Sequence, residues 1–439
     1  MHPLICWSEL SSASVGLWGL GVEGTASLHR LEVMGTVPVL VDDAPGDRTI
    51  NGLEVMATGQ GGLDALLRCD VVVKSPGISR YRPEIEQLER AGIPVRGGLG
   101  LWLEETDRSR VACITGTKGK STTTALAGHL LNGLGYRSEV GGNIGRAPWE
   151  PSSEPPPDWW IIETSSYQVP DITTSPAVVA VTSLSPDHLD WHGSLERYYR
   201  DKLSLCTKPG VAVTLVNGGD DALREHREAL GRKVRWVDPH EEPWFASLGL
   251  PGGHNRRNAT MARAVLDALG IGASSDPDAM ATAARGFRGL PSRCHSLGRV
   301  AGVEFVDDSL STNVLPAQAA LEAFGDRPIA ILVGGRDRGL DYTPLGQTLA
   351  GRKLPTMVVT LPDNGPRIGR DIRQVTRDRI EVVDAATLDE GVAAAFAWNE
   401  PGGVVLLSPA APSFGQFTDY RDRARAFAEA AARLGELIP

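Results

Sequence analysis

The chain has 439 residues, 41% hydrophobic and 22% charged, with a formal net charge of -10. That length exceeds what one hydrophobic core usually holds, so two or three domains are expected, and the apolar content excludes disorder. The acidic balance argues against general nucleic-acid binding, since a phosphate backbone is normally met by a basic surface.

From Ser14 to about Asp107, β-branched runs alternate with helical patterns, the signature of an α/β unit with a mostly parallel sheet. SVGLWGL reads as a strand, VEGTASLHRLEVMG as a helix, VPVLVDD and VVVKSPG as strands, and Pro83 to Ala91 as a helix. Gly19, Gly21 and Gly24 form G-x-G-x-x-G between the first strand and helix, with Asp42 and Asp43 ending the next strand. This fits a diphosphate-binding turn, but glycines there also serve close packing, and the motif alone does not separate NAD from a nucleotide sugar. Met1 to Leu10 lacks a cationic stretch followed by an apolar one, and no run of about 18 apolar residues occurs, so a cytoplasmic protein with no membrane partner is expected. Cys6, Cys69, Cys113, Cys206 and Cys294 are scattered without CxxC spacing and read as reduced, partly buried thiols.

The second unit opens with VACITGTKGKSTTT, Val111 to Thr124: an apolar strand, a glycine-punctuated turn, then a helix, Thr123 to Leu134. Small glycines let backbone N–H groups converge on phosphate oxygens where a helix N-terminus adds positive potential. Lys120 supplies a mobile cation for terminal phosphates and Ser121 a hydroxyl for magnesium. Gly116 and Gly119 enclose only two residues where the generic loop has four between its glycine and its Gly-Lys pair. The unit continues through the strands WWIIETSS, AVVAVTSL and VAVTLVN and the helices Leu195 to Cys206 and Asn258 to Leu269, with Pro148 to Asp158 as a surface loop. Glu163 ends one strand beside the cradle and implies a second metal ligand; the bland alternative is a solvated glutamate. Asp187, His188, Asp190 and His192 crowd one short segment, with His188 at the carboxyl edge of the sheet, where open α/β folds bind ligands. By composition Lys202 reads as an ordinary solvated helix lysine.

A boundary falls near Arg288 to Leu297, where GFRGLPSRCHSL breaks the helical pattern. The third unit carries the strands GVEFVDDS, IAILVGG, TMVVTLP, IEVVD and GVVLLSP and ends in a helix from Asp419 to Leu434. The expected fold is α/β in three domains: 1–107, Rossmann-like; 108–296, P-loop ATPase-like; 297–439, Rossmann-like.

Taken together, GTKGKST (Gly116 to Thr122), GGNIG (Gly141 to Gly145), ETSSYQ (Glu163 to Gln168), DHLDWHGSLERYYRDK (Asp187 to Lys202), GGHNRRNA (Gly252 to Ala259), LPSR (Leu290 to Arg293), DDS (Asp307 to Ser309) and LSPAAPSF (Leu407 to Phe414) resemble the ATP-dependent Mur ligases of peptidoglycan precursor synthesis. The N-terminal glycine turn and the LSPAAPSF ending look like the branch that adds glutamate to UDP-N-acetylmuramoyl-L-alanine. The resemblance implies that the first domain holds UDP through Gly19, Leu20, Gly21, Asp42, Ser75 and Gly77, with Asn143 and Ser165 near the muramoyl-alanine arm. It implies ATP binding by Gly116, Thr117, Lys118, Gly119, Lys120, Ser121 and Thr122, by Asn255 and Asn258 on the adenine side, and by Arg293 and Asp308. Lys120, His188 and Lys202 carry its catalytic roles. Two magnesium ions are implied, one on Ser121 and Glu163 and one on His188 and Lys202, with Lys202 as a carbamate. Thr312, Arg338, Ser413, Phe414 and Tyr420 match positions around the incoming amino acid.

The same resemblance implies transfer of the γ-phosphoryl group of ATP to a carboxylate, giving an acyl phosphate that the amine of glutamate attacks. The pocket departs from the usual D-glutamate-adding pattern: Leu310 follows the Asp-Ser pair where a lysine is typical, Arg338 in GGRDRG replaces a lysine, and Pro412 stands where a small residue is commoner. Arginine offers a rigid fork and lysine a point charge, so the exchange is not conservative. DDSLSTN and GGRDRGLDY look closer to a sister group that adds L-glutamate. The alternatives are D-glutamate in a drifted pocket and, more distantly, folylpolyglutamate synthesis. A Rossmann dehydrogenase leaves Glu163, His188 and Lys202 without a task, and a non-catalytic nucleotide scaffold or switch is excluded by phosphate release that requires both amino acid and muramoyl substrate. Small molecules are the expected partners, and a monomer is the default.

Overall fold

The structure, a computed structural model, describes residues 6–44, 48–187, 189–250, 252–377, 379–413 and 415–438. His188 and Phe414, both named above, lie outside the described residues. The chain forms two compact units, Met1–Ser247 with Arg256–Arg285, and Leu248–Asn255 with Gly286–Pro439.

The first unit contains two six-stranded sheets. One is built from β1 (Val15–Trp18), β2 (Val39–Asp42), β3 (Thr49–Ile50), β4 (Leu53–Ala57), β5 (Val71–Lys74) and β6 (Val95–Gly97), in the order β3-β4-β2-β1-β5-β6. Its pairings are parallel except β3 with β4, where Asn51 and Gly52, both at positive φ, make the tight turn that joins antiparallel strands. The other is built from β7 (Val111–Thr115), β8 (Ser138–Gly142), β9 (Trp159–Glu163), β10 (Val178–Val181), β11 (Val213–Asn217) and β12 (Val234–Val237), in the order β12-β11-β10-β7-β9-β8, parallel throughout. β7 and β10 are buried at every position, as unbroken β-branched runs require when helices cover both faces. The second unit contains β13 (His295–Val300), β14 (Val303–Asp307), β15 (Ile329–Val333), β16 (Thr356–Thr360), β17 (Glu381–Asp384) and β18 (Val404–Leu407), ordered β13-β14-β18-β15-β16-β17, with only β13 and β14 antiparallel.

The predicted strands form within a few residues of their expected limits. The helix expected from Asn258 instead spans Gly253–Ala268, because the polar HNRRN segment is itself helical.

Within the first unit, charge locks one sheet to the other. Lys74, at the end of β5 and 1% exposed, places Nζ 2.5 Å from Asp171 Oδ2, while Arg80 reaches Asp171 Oδ1 at 3.3 Å. Gly97 and Gly100 let the chain close on this pair, since a Cβ on either would stand 2.9 Å from Asp171 Cβ or 2.5 Å from Asp171 O. Tyr81 donates to both carboxylate oxygens of Asp201 at 2.6 and 2.7 Å. Removing one partner of a buried ion pair leaves an uncompensated charge, so Asp171→Ala is expected to lower unfolding stability in urea by about 3–5 kcal/mol, and Lys74→Met with Asp171→Leu by clearly less.

Candidate active site

β7 lies between β9 and β10, so the loops that leave these three strands emerge side by side, at a switch point of the sheet. The loop after β7 is the glycine cradle. Gly116 has φ +133°, and a Cβ there would lie 2.2 Å from Thr182 Oγ1. The chain after β10 grips the loop closely: Thr117 N donates to Ser183 O at 2.8 Å, Lys118 N to Ser183 Oγ at 2.8 Å, and Thr182 Oγ1 to Lys118 O at 2.6 Å. Gly119, at φ +86°, then starts the helix Lys120–Gly133, and Asn258 Oδ1 sits where its Cβ would be. The first-turn amides of that helix have no intrahelical acceptors and suit an anion.

Lysines converge behind this loop. Lys202 is 1% exposed and donates from Nζ to Gly116 O at 2.7 Å, with the Tyr198 ring 5.0 Å away. Burial, with Lys120 and Lys118 nearby, holds its ammonium well below the ordinary lysine range. The solvated reading of Lys202 is therefore corrected. Composition alone does not show that the helix Leu195–Ser204 turns this face inward. Lys120 Nζ bonds Thr117 O at 3.0 Å, and Lys118 pairs with Asp187 at 3.2 Å.

Glu163 ends β9 opposite Ile114 and is 1% exposed. Its Oε1 accepts from Asn143 Nδ2 at 3.0 Å, while Oε2 is buried without a hydrogen-bond partner. A solvated glutamate is thereby excluded. An orphaned carboxylate oxygen and the buried Ser121 hydroxyl are hard donors that fit magnesium. Among the described residues no group of three His, Cys, Asp or Glu converges on a metal position. His192 is fully buried and bridges Asp201 (2.7 Å) and Ser166 (3.1 Å).

The other sheet of this unit repeats the geometry, with β1 between β2 and β5. Gly19 has φ +89°, and a Cβ on Gly24 would stand 2.0 Å from Gly19 O, which also accepts from Ser75 Oγ at 2.7 Å. Asp42 Oδ2 accepts from Leu20 N at 2.8 Å. Gly19, Leu20, Asp42 and Ser75 are thus joined directly, Gly21 caps the helix Val22–Val33, and Gly77 is exposed in the turn after β5. Ser165 N donates to Gln168 Oε1 at 2.7 Å.

In the second unit β15 lies beside β18, and the loops after β14, β15 and β18 carry Asp307 to Ser309, Gly334 to Gly339, and Ser408 to Ser413. Arg423, 1% exposed, donates to Ser309 O (2.8 Å), Ala411 O (3.1 Å) and Gly334 O (3.4 Å) and so ties all three loops together. Burial pushes the Asp308 carboxyl up to about 7, against hydrogen bonds from Ser408 Oγ at 2.6 Å and Cys294 N at 3.1 Å. Ser413 is buried, Thr312 and Tyr420 are half-buried, and Arg338 is exposed in the loop after β15. Arg293 and Asn255 belong to this unit and Asn258 to the first. Sequence reasoning missed Arg423, because nothing distinguishes it from Arg421 and Arg425 in the same helix. It also missed the grip of Thr182 to Ser185, whose only signal is small polar residues after a buried strand.

Residues 114–238 match the family model described as the Mur ligase middle domain. The chain is 41% identical to a UDP-N-acetylmuramoyl-L-alanine--L-glutamate ligase of Xanthomonas euvesicatoria, over 97% of this chain and 96% of that protein. It is 39% identical to one of the same description from a Micromonospora species, over 96% and 97%. Among solved structures, the UDP-N-acetylmuramate-alanine ligase of Thermotoga maritima shares the fold, with a TM-score of 0.58 at 20% identity over 96% of this chain and 99% of that one. A folylpolyglutamate synthase of Mycobacterium tuberculosis gives 0.52 at 15% identity over 76% and 93%.

Because the space at Gly116 is occupied by Thr182, Gly116→Ala is expected to weaken nucleotide binding by roughly tenfold or more, read by titration with ADP, while far-ultraviolet circular dichroism stays unchanged.

Proposed function

This chain belongs to the Mur ligase family, amide-forming ligases of peptidoglycan synthesis, and on that premise we propose that it adds L-glutamate to UDP-N-acetylmuramoyl-L-alanine, releasing ADP and phosphate. The observation that carries this reading is near-full-length similarity to ligases described with that substrate and that enantiomer. The remodelled pocket, with Leu310, Arg338 and Pro412, supports the same choice.

We assign UDP recognition to residues 1–107, ATP to 108–296 and glutamate to 297–439. A carboxylate resists amide formation because its oxygen is a poor leaving group, so transfer of the γ-phosphoryl group onto it gives an acyl phosphate that an amine can attack. Lys120 and the amides of the Gly116 to Ser121 loop orient the triphosphate and offset its charge. Asn258 lies on the adenine side, and Asn255, Arg293 and Asp308 are assigned to ATP by resemblance. Magnesium, when bound, neutralises phosphate oxygens. Ser121 and the partnerless Oε2 of Glu163 are the donors that would hold it. A second ion is assigned to His188 and Lys202, the lysine acting as a carbamate. Support for that modification comes from burial, which favours the neutral amine, the form that reacts with carbon dioxide. The protein is proposed to act in the cytoplasm.

Purified protein supplied with ATP, magnesium, the muramoyl substrate and each enantiomer of glutamate should release phosphate faster with L-glutamate; faster release with D-glutamate overturns the stereochemical assignment. Lys202→Ala should lose roughly 100-fold or more in turnover and recover in part when a short carboxylic acid is added, and near-normal activity would return Lys202 to a packing role.

A further inference from the structure

The glycine turn of the first unit carries a residue that its proposed ligand disfavours. Glu23 is the second residue of the helix Val22–Val33, on the turn where the diphosphate of a UDP-linked substrate is assigned. A carboxylate at a helix N-terminus is ordinarily stabilised by the same dipole that attracts phosphate, so here the two negative groups compete for one positive end. Glu23 does not simply project into solvent. Its Oε1 accepts from Gln168 Nε2 at 2.6 Å, and Gln168, 3% exposed, accepts from Ser165 N at 2.7 Å. This relay runs from the diphosphate turn to the segment assigned to the muramoyl-alanine arm.

The charges facing Glu23 offset it only in part. Lys74 on β5 is the nearby cation, but its Nζ is already committed to Asp171 Oδ2 at 2.5 Å and to Ile78 O at 3.0 Å. Asp171, which also takes Arg80, adds a repulsive charge of its own. Gln168 is neutral, and Glu23 is the only acid in the first turn of its helix.

We propose that Glu23 is a positioning residue for the UDP-linked substrate that takes one proton from solvent when the diphosphate binds, so that it keeps Gln168 and Ser165 in place without opposing the ligand's charge. The inference rests on the reading of this turn as the UDP site. Burial already pushes the Glu23 carboxyl up to about 7 without ligand, against the hydrogen bond from Gln168. The sign follows: below that value the group is neutral and binding is unopposed, whereas above it each binding event must also carry in a proton. Affinity therefore falls as pH rises, by on the order of tenfold between about pH 7 and 8.5. Neither the diphosphate diester nor the alanyl carboxylate of the substrate titrates in that range.

The test is calorimetric titration of the full chain with UDP-N-acetylmuramoyl-L-alanine at about pH 7.5 in two buffers of different ionisation enthalpy, on the native protein and on Glu23→Gln. The native protein should take up between about half a proton and one proton, and Glu23→Gln should bind with none and with affinity flat across the pH range. Binding by the native protein without proton uptake, or equal uptake by Glu23→Gln, overturns the role of Glu23 and leaves the UDP reading intact. No binding by the folded native protein overturns the UDP reading and the inference with it. Thermal melting of Glu23→Gln within a few degrees of the native protein separates loss of linkage from loss of fold.

Discussion

A buried lysine that no carboxylate engages sets the terms for the central sheet. Lys202 is held against Gly116 O rather than against a carboxylate, and Lys118 and Lys120 stand close enough to disfavour its charge. Asp187 and Glu163 oppose that repulsion, yet Asp187 is engaged by Lys118 and Glu163 keeps one oxygen without a partner. A lysine whose charge is disfavoured and an orphaned carboxylate oxygen stand under a loop of convergent amides, an arrangement that the proposed polyphosphate with its metal ion would relieve.

Parallel sheets explain why such sites can exist here at all. In each sheet of the first unit two adjacent central strands, β1 and β5 or β7 and β10, lead on to opposite edges of the sheet, and the loops leaving their carboxyl ends diverge to open a crevice. The glycines at these points permit backbone approaches that a Cβ would block: Gly24 against Gly19 O, Gly116 against Thr182, and Gly335 against Pro412 O. One architectural device thus serves the nucleotide-sugar and ATP roles proposed for the first unit, and close glycine approaches recur in the part proposed to hold the amino acid.

The sheets of the first unit are joined by polar rather than apolar matching alone. Lys74 with Asp171, Tyr81 with Asp201, and Glu23 with Gln168 all cross from the elements around one sheet to those around the other. Such contacts are directional, so they fix one relative placement of the diphosphate turn and the segment after β9 where a greasy surface would tolerate several. Arg423 does comparable work in the second unit, with a single guanidinium holding three loops by their carbonyls.

The sequence by itself determined the α/β class, the strands and the glycine-punctuated loop that leads into the helix at Lys120, because these depend on local periodicity and on residues a few positions apart. The antiparallel turn at Asn51 and Gly52 is equally local in origin. Only the tertiary structure decided that Lys202 is buried, that Thr182 to Ser185 grip the cradle, that Asp171 neutralises Lys74, and that Arg423 differs from Arg421 and Arg425. Each of those facts depends on burial and on partners tens of residues away, and a lysine or arginine carries no mark in the chain of whether its charge will meet water, a carboxylate or a carbonyl.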